Sequence, residues 1–173
     1  MEARLACSHK NLIEHFATED KPFHFTDSGL DNVYLVGIKY FTCECGNISA
    51  EIPALKRLMQ LIACDIVKSQ SNLEGAEIKF LRKRLGKKAT EYCKFLAIEP
   101  ETLSRIENGK MPASGATDKL ARLTYAILSE DPNLSEIAIN ILNALALSVM
   151  PEKGKIVLQM SKNHEWSELQ KAA

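Results

Sequence analysis

From about residue 76 to 147 the sequence consists of short segments with apolar residues at helical spacing, joined by short turns. This pattern constrains the fold of the chain more than any other feature. Apolar residues recur at helical spacing in these segments, and each segment is too short to be stable unless it packs on others. The spacing predicts five short helices, near residues 76–85, 88–96, 100–108, 117–128 and 134–147. The side chains predicted to face the core from these helices are Ile78, Leu81, Leu85, Tyr92, Cys93, Leu96, Leu103, Ile106, Leu120, Leu123 and Ile127.

The second and third predicted helices are separated by a corner of three residues, Ala97-Ile98-Glu99. The DNA major groove is about 12 Å wide and admits one helix, while the helix before it braces across the backbone. Pro100 suits the first position of the reading helix, and Asn108-Gly109 suits its end. The sequence therefore predicts a mainly α fold with a helix-turn-helix, in which residues 88–96 brace and residues 100–108 read.

Positive charge is concentrated in the same region, although the whole chain has a formal net charge of zero. Residues 75–129 carry 11 basic and 6 acidic side chains, a net charge of +5, whereas the regions on both sides are neutral or acidic. Each cation placed at a phosphate releases counterions, so local density matters more than the total. Five cations within seven residues precede the corner: Arg82, Lys83, Arg84, Lys87 and Lys88.

The run Leu103-Ser104-Arg105-Ile106-Glu107-Asn108-Gly109-Lys110 resembles the end of the recognition helix in lambda-repressor-like (XRE-type) regulators. The run from Phe80 to Gly86 is similar to their first helix, and the resemblance covers roughly residues 76–128. It implies that Thr102, Ser104 and Arg105 face bases or phosphates. It also implies that Asn108 and Lys110 lie beside the DNA backbone just beyond the helix.

Three positions depart from the pattern of these regulators. Ala89 stands where many of them place a glutamine that touches DNA. Ala97 stands where many place glycine, in a left-handed conformation that costs an alanine about 1–2 kcal/mol. Glu101, near the tip of the reading helix, could accept a hydrogen bond from cytosine but would repel phosphate.

The N-terminal residues 1–50 are predicted to form loops and short strands, at Val33–Val36 and Ile38–Thr42. Cys43 and Cys45 follow the second of these strands and lead into a turn. Paired thiolates on a turn are typical of tetrahedral zinc sites. Cys7 and His9 are the candidates for the other two zinc ligands, and either His15 or His24 could replace His9.

This end also resembles the zinc-ribbon-plus-helix-turn-helix proteins of the MqsA-type antitoxin group. The run Gly37-Ile38-Lys39-Tyr40-Phe41-Thr42-Cys43 and the pair Cys45-Gly46 match the second half of their ribbon. The first half is incomplete, because Lys10 stands where a second cysteine would be expected. The alternatives are therefore a zinc-binding ribbon and a degenerate ribbon without metal.

Four regions follow from these patterns: a zinc-ribbon-like domain at 1–50, a connecting helix (about 53–70, with Pro53 first) and linker at 51–74, the helix-turn-helix domain at 75–129, and a C-terminal region at 130–173. The apolar helix at 134–147 and a strand at Lys155–Met160 are predicted to form a homodimer contact, although that helix could instead complete the core. A polar tail with Trp166 follows. Cys64 and Cys93 lie on apolar helical faces and are expected to be buried.

The function predicted from this sequence is a DNA-binding transcriptional repressor, such as an autoregulating antitoxin that also binds a toxin protein. The alternative is a protein-binding module that grips a partner through residues 1–50 without binding DNA. No hydrolase or metalloprotease motif or phosphate-binding glycine loop is present, so an enzyme is not expected. With no signal sequence or apolar run of membrane-spanning length, we expect a cytoplasmic protein.

Overall fold

The computed structural model of the protein describes residues 12–129, 131, 134–149, 158–160 and 166–168. In this part of the chain, helices and small antiparallel sheets are combined, and a sheet region precedes a helical region, as expected from the sequence. The six helices of the described residues are α1 (Leu55–Lys68), α2 (Gly75–Arg84), α3 (Ala89–Leu96), α4 (Pro100–Glu107), α5 (Gly115–Leu128) and α6 (Ser135–Val149).

The N-terminal region contains two small antiparallel sheets. Three strands pair in the order β1-β4-β5, and two short strands, β2 and β3, form the second sheet. The strands are β1 (Leu12–Phe16), β2 (Phe23–His24), β3 (Tyr34–Leu35), β4 (Lys39–Cys43) and β5 (Ile48–Ala50).

The two strands predicted from β-branched and aromatic residues are confirmed as β3 and β4. Strands β1, β2 and β5 were not predicted. For β1 the reason is its partner, because Leu12 lies opposite Cys43 and Phe16 lies opposite Lys39, far away along the chain. Strands β2 and β5 have only two and three residues, and such short strands are stabilised by cross-strand contacts rather than by a pattern of their own.

The helical core lies between α2, α3, α4 and α5, with contributions from α1 and the start of α6. The expected inward side chains of α2, α3 and α4 are buried there, including Ile78, Leu81, Tyr92, Leu103 and Ile106, and Leu85 packs against them half-buried. Cys64 and Cys93 are buried in the same core, as expected. The periodicity therefore identified the faces of the first three helices of this region correctly.

The face of helix α5 that the periodicity predicts to be buried is wrong. Ile127 was expected to face inward, yet 56% of its surface is exposed, and Leu120 and Leu123 are only half-buried. The buried face instead carries small, polar and charged residues: Thr117, Asp118, Ala121, Arg122, Thr124, Tyr125 and Ala126.

The reason for this face is a buried ion pair that fastens the linker to α5. The Arg122 guanidinium donates to the Asp118 carboxylate and to the backbone carbonyls of Ile66, Val67, Ser69 and Ser71. Asp118 also accepts a hydrogen bond from the backbone N–H of Leu73 at 2.7 Å. A buried charge with this many partners is satisfied, so α5 can turn this face inward.

The ends of two further elements differ from the prediction. Helix α1 begins at Leu55, because Ala54 adopts a left-handed conformation (φ 50°) that leaves Pro53 outside the helix. The predicted C-terminal strand is present within the described residues as β6 (Leu158–Met160). It pairs with β7 (Trp166–Glu168), a strand within what was expected to be a polar tail.

No membrane-spanning candidate is present among the helices of the described residues, since none combines the necessary length with the necessary apolar character.

Candidate nucleic-acid interface

The corner between α3 and α4 has the predicted length and an alanine in a left-handed conformation. Helix α3 ends at Leu96, α4 begins at Pro100, and Ala97 has φ 52° and ψ 42°. The backbone N–H groups of Ala97 and Ile98 both donate to the carbonyl oxygen of Cys93. These hydrogen bonds satisfy the end of α3 and turn the chain sharply into α4.

Helix α4 has one buried face and one exposed face. Leu103 and Ile106 are buried against the core. Glu101, Ser104, Arg105 and Asn108 are exposed and occur at positions i, i+3, i+4 and i+7, so they form one polar stripe along the helix. We call these four residues the α4 stripe. Thr102 is half-buried at its margin, and Lys110 is exposed just beyond the helix.

The C-terminal end of α4 is closed as the sequence predicts. Gly109 has φ 67°, and its N–H donates to the carbonyl oxygen of Ile106 at 2.9 Å. The N–H of Lys110 donates to the carbonyl oxygen of Arg105 at 2.8 Å. The Asn108 side-chain amide donates to the carbonyl oxygen of Ser104 at 2.7 Å, so this side chain caps its own helix.

Two contacts from α2 hold α4 in place. Arg82 donates from Nε and Nη2 to the two carboxylate oxygens of Glu107, at 2.6 and 2.7 Å, and from Nη1 to the carbonyl oxygen of Lys87. Gly75, at the start of α2, lies so close to α4 that a Cβ there would overlap the backbone carbonyl of Ile106. Sequence reasoning missed the role of both Gly75 and Glu107.

The five-cation cluster that the sequence predicts beside the corner is smaller in the folded protein. Arg82 is hydrogen-bonded to the carboxylate of Glu107, and this interaction raises the pKa of Arg82. Arg84 is half-buried and interacts with the hydroxyl of Tyr125. Lys83 and Lys88 remain exposed, and Lys87 is half-buried. A count of charges along the chain cannot distinguish cations that face solvent from cations that hold helices together.

The start of α3 carries exposed positive charge without the glutamine found in many XRE-type regulators. Lys88 is the residue before the first turn, and its backbone N–H donates to the carboxylate of Glu91 at 3.2 Å. Ala89, in the position of the glutamine, is half-buried. The groups that can contact a phosphate at this end of α3 are Lys87, Lys88, the exposed hydroxyl of Thr90 and backbone N–H groups.

The predicted metal ligands fall partly within the described residues. Cys43 is buried and Cys45 is exposed, on a turn closed by a hydrogen bond from the N–H of Gly46 to the carbonyl oxygen of Cys43 at 2.8 Å. Cys7 and His9 lie outside the described residues. The two thiol groups that the sequence predicts as zinc ligands thus lie on one turn.

The two alternative histidine ligands make other contacts. His15 Nε2 lies 2.8 Å from the hydroxyl of Thr42, and its ring stacks on Tyr40. His24 Nε2 lies 2.9 Å from the carbonyl oxygen of Asp31, and its ring stacks on Tyr34. The described residues hold no group of three potential ligands. Any zinc site would therefore need at least one ligand from outside the described residues.

Taken together, these residues make a surface with hydrogen-bonding side chains on one helix and exposed lysines on either side of it in the sequence. Such a surface can bind phosphates through its lysines and base edges through its helix. No protein-family model, no curated protein and no solved structure matches this chain. What the surface binds is therefore inferred from its own residues.

Proposed function

We propose that this chain is a sequence-specific DNA-binding transcriptional regulator, with α2–α6 as a lambda-repressor-like domain and α3–α4 as its helix-turn-helix. The observation that carries the proposal is the α4 stripe: four polar side chains exposed on a helix whose opposite face is buried and whose end is held by Arg82. A helix that reads bases must be rigid and must present polar groups on its outward side.

The exposed cations near the α4 stripe in sequence support the same proposal. Lys83 and Lys88 lie before the corner, and Arg105 and Lys110 lie on and just after α4. Since duplex DNA carries a dense row of phosphates, exposed cations of this domain provide affinity that is independent of sequence. Glu101 is exposed on the same face of α4 as Arg105, so this helix combines attraction to phosphates with a group that discriminates between bases.

We propose further that the regulator binds a palindromic operator as a homodimer. Half-sites would lie about 34 Å apart, one helical turn of DNA, and each would receive one α4. Apolar side chains on α5 and α6 remain exposed in the single chain, among them Ile127, Leu128, Ile139 and Leu142. Their burial against a second copy, together with the segment at 155–160, would supply the contact that a two-fold symmetric reader needs.

A salt titration on random-sequence duplex DNA tests the proposal. Wild-type protein should bind at low salt, and the logarithm of its affinity should fall linearly with the logarithm of salt concentration. Lys110→Ala should reduce the steepness by about 0.9, the value for one phosphate contact. Lys56→Ala, which removes an exposed lysine from α1, is the control and should leave the slope unchanged.

Binding to the chain's own promoter region tests sequence specificity. Arg105→Ala should weaken operator binding by about 1–3 kcal/mol, as expected for the loss of a base contact. Its binding to random DNA should change much less. An operator affinity unaltered by Arg105→Ala, or the absence of any DNA binding at low salt, would contradict the proposed function.

A second candidate function is a protein-binding module that uses the N-terminal sheet, and one observation favours it. Ile13 and Ile48 are each more than half exposed, and both lie beside Thr42 in the strand register, so they share one face of the β1-β4-β5 sheet. In an antitoxin this surface would bind the toxin and coexist with DNA binding. Affinity for a protein partner with no measurable DNA affinity would favour the second candidate over the first.

A further inference from the structure

We propose that Glu101 and Arg105 are the residues that determine DNA sequence specificity, and that together they select cytosine and guanine within one short step of the operator half-site. This inference rests on the proposed DNA-binding function and specifies the bases that the α4 stripe reads. Glu101 would accept a hydrogen bond from the N4 amino group of cytosine, and Arg105 would donate two hydrogen bonds to O6 and N7 of guanine.

The position of the two residues on α4 places them side by side on the outward face. They are four residues apart, so one lies directly above the other along the helix. Leu103 and Ile106, on the opposite face, are 0% and 2% exposed. The direction in which α4 faces solvent is therefore defined by burial, and both long side chains project from the centre of that outward face.

Both side chains retain their full hydrogen-bonding capacity. A glutamate four residues before an arginine readily forms an ion pair on a helix. In the described residues, however, the ion pairs join Lys39 to Glu14, Arg82 to Glu107 and Arg122 to Asp118. Neither Glu101 nor Arg105 makes a side-chain hydrogen bond or ion pair within the described part of the chain.

The other two residues of the α4 stripe, Ser104 and Asn108, use part of their hydrogen-bonding capacity on each other. The Asn108 amide nitrogen donates to the carbonyl oxygen of Ser104 at 2.7 Å and lies 3.4 Å from its hydroxyl oxygen. This contact ties the end of the stripe to its own helix. Discrimination between bases therefore depends mainly on the two charged residues at the tip and middle of α4.

The chemistry of the major groove assigns a base to each of them. In the major groove guanine presents two acceptors, O6 and N7, that match the two N–H groups of an arginine side chain. Cytosine presents the N4 amino donor, which suits a carboxylate. Glu101 would be repelled by phosphates, so its exposed charge is tolerated best when α4 enters the groove and the carboxylate meets an amino group. A guanine and a cytosine occur together in every G·C pair, so the pair of residues fits a G·C-containing step.

The length of the helix limits how far apart the two bases can be. Four residues of α-helix rise about 6 Å along the helix axis, and neighbouring base pairs in duplex DNA are about 3.4 Å apart. The selected cytosine and guanine should therefore belong to the same base pair or lie within about two steps of each other. A specificity shared over a wider distance would require residues outside α4.

Selection from a library of randomised duplexes tests the inference directly. Wild-type protein should enrich a half-site that contains this cytosine and guanine. Glu101→Gln should change the preferred base at the cytosine position to adenine, because an amide pairs with N6 and N7 of adenine. Arg105→Ala should remove the guanine preference, with roughly 10- to 100-fold weaker binding to the wild-type site.

Glu19→Gln is the control, since it removes an exposed glutamate from the loop after β1, away from α4 and the proposed dimer contact, and should leave the selected sequence unchanged. Glu101 also lies in the first turn of α4, where a negative carboxylate stabilises the helix through its favourable interaction with the helix dipole, without touching DNA. That purely structural role would lower the thermal stability of Glu101→Gln without changing which base is preferred.

The outcomes separate this inference from the proposed function. An altered base preference for Glu101→Gln at one position, with salt-dependent binding retained, supports it. Specific binding with the same selected sequence for wild type and Glu101→Gln overturns it and leaves the regulator intact. Absence of DNA binding by the wild-type protein at low salt overturns both.

Discussion

The guanidinium of Arg82 on α2 spans the carboxylate of Glu107 at the end of α4, with two hydrogen bonds of 2.6 and 2.7 Å. The two side chains are 13% and 8% exposed, so the pair is largely shielded from water. A bidentate pair of this kind fixes orientation as well as distance. It therefore holds the end of α4 against the body of the domain.

The first prediction concerns this pair. Arg82→Ala should lower the free energy of unfolding by about 3 kcal/mol, because it leaves a shielded carboxylate without its partner. Urea denaturation of Arg82→Ala, Glu107→Ala and the double variant measures the coupling between the two residues. We expect the double variant to lose clearly less stability than the sum of the single variants. Additive losses would mean that the pair contributes no coupling energy.

The second prediction concerns the corner. Ala97 adopts a left-handed conformation that costs alanine about 1–2 kcal/mol and glycine almost nothing. Ala97→Gly should raise the free energy of unfolding by about 0.5–1 kcal/mol, which is less than the strain removed because glycine has more freedom in the unfolded chain. Ala89→Gly, within α3, is the control and should lower stability by up to about 1 kcal/mol. Equal losses at both positions would contradict a strained corner.

The third prediction concerns the contact between α2 and α4. In Gly75→Ala the new Cβ would overlap the backbone carbonyl of Ile106, so one of the two helices must move. We expect a loss of about 1–3 kcal/mol in unfolding free energy, together with weaker operator binding. Gly115→Ala, at the start of α5, meets no atom within 4 Å and should be neutral or slightly stabilising. Equal stability of the two variants would show that the helices have room to separate.

The fourth prediction concerns pH. Burial raises the pKa of Glu77 above its ordinary value of 4.5, while the backbone N–H of Glu74 donates to its carboxylate at 2.7 Å. The folded protein therefore binds this proton more tightly than the unfolded chain, so the ionised carboxylate costs stability above the folded pKa. Glu77→Gln, which can still close the cap, should be the more stable protein at pH 7. Its advantage should shrink as pH falls to about 4, because the wild-type carboxyl then becomes neutral as well. Thermal melts across this range measure the difference, and an advantage that grows on acidification would contradict the sign.

The fifth prediction concerns metal. If residues 1–50 form a zinc ribbon, purified protein should contain about one zinc ion per chain by elemental analysis, and Cys45→Ser should lose most of it. Glu44→Gln, on the same turn, removes no predicted ligand and is the control. Metal content at background in the wild-type protein would favour the degenerate ribbon.

Local sequence was enough to predict the helices of residues 75–129, the corner at 97–99 and the buried face of α4, with Leu103 and Ile106 inward. These features depend on contacts between residues three or four apart and on the preferences of proline and glycine at helix ends, which a short window contains. The left-handed conformation at Ala97 was expected only from the resemblance to XRE-type regulators, which often have glycine there, and it is present although the residue is alanine.

Tertiary structure decided which of the basic residues remain available and which face of α5 is buried. Arg82 and Arg122 look like surface cations in the sequence, yet their partners Glu107 and the carbonyls of the linker lie at least 25 residues away along the chain. Strand β1 likewise exists because β4 lies beside it. Burial and pairing are properties of the whole fold, so a charge or an apolar residue acquires its role only after distant segments have packed together.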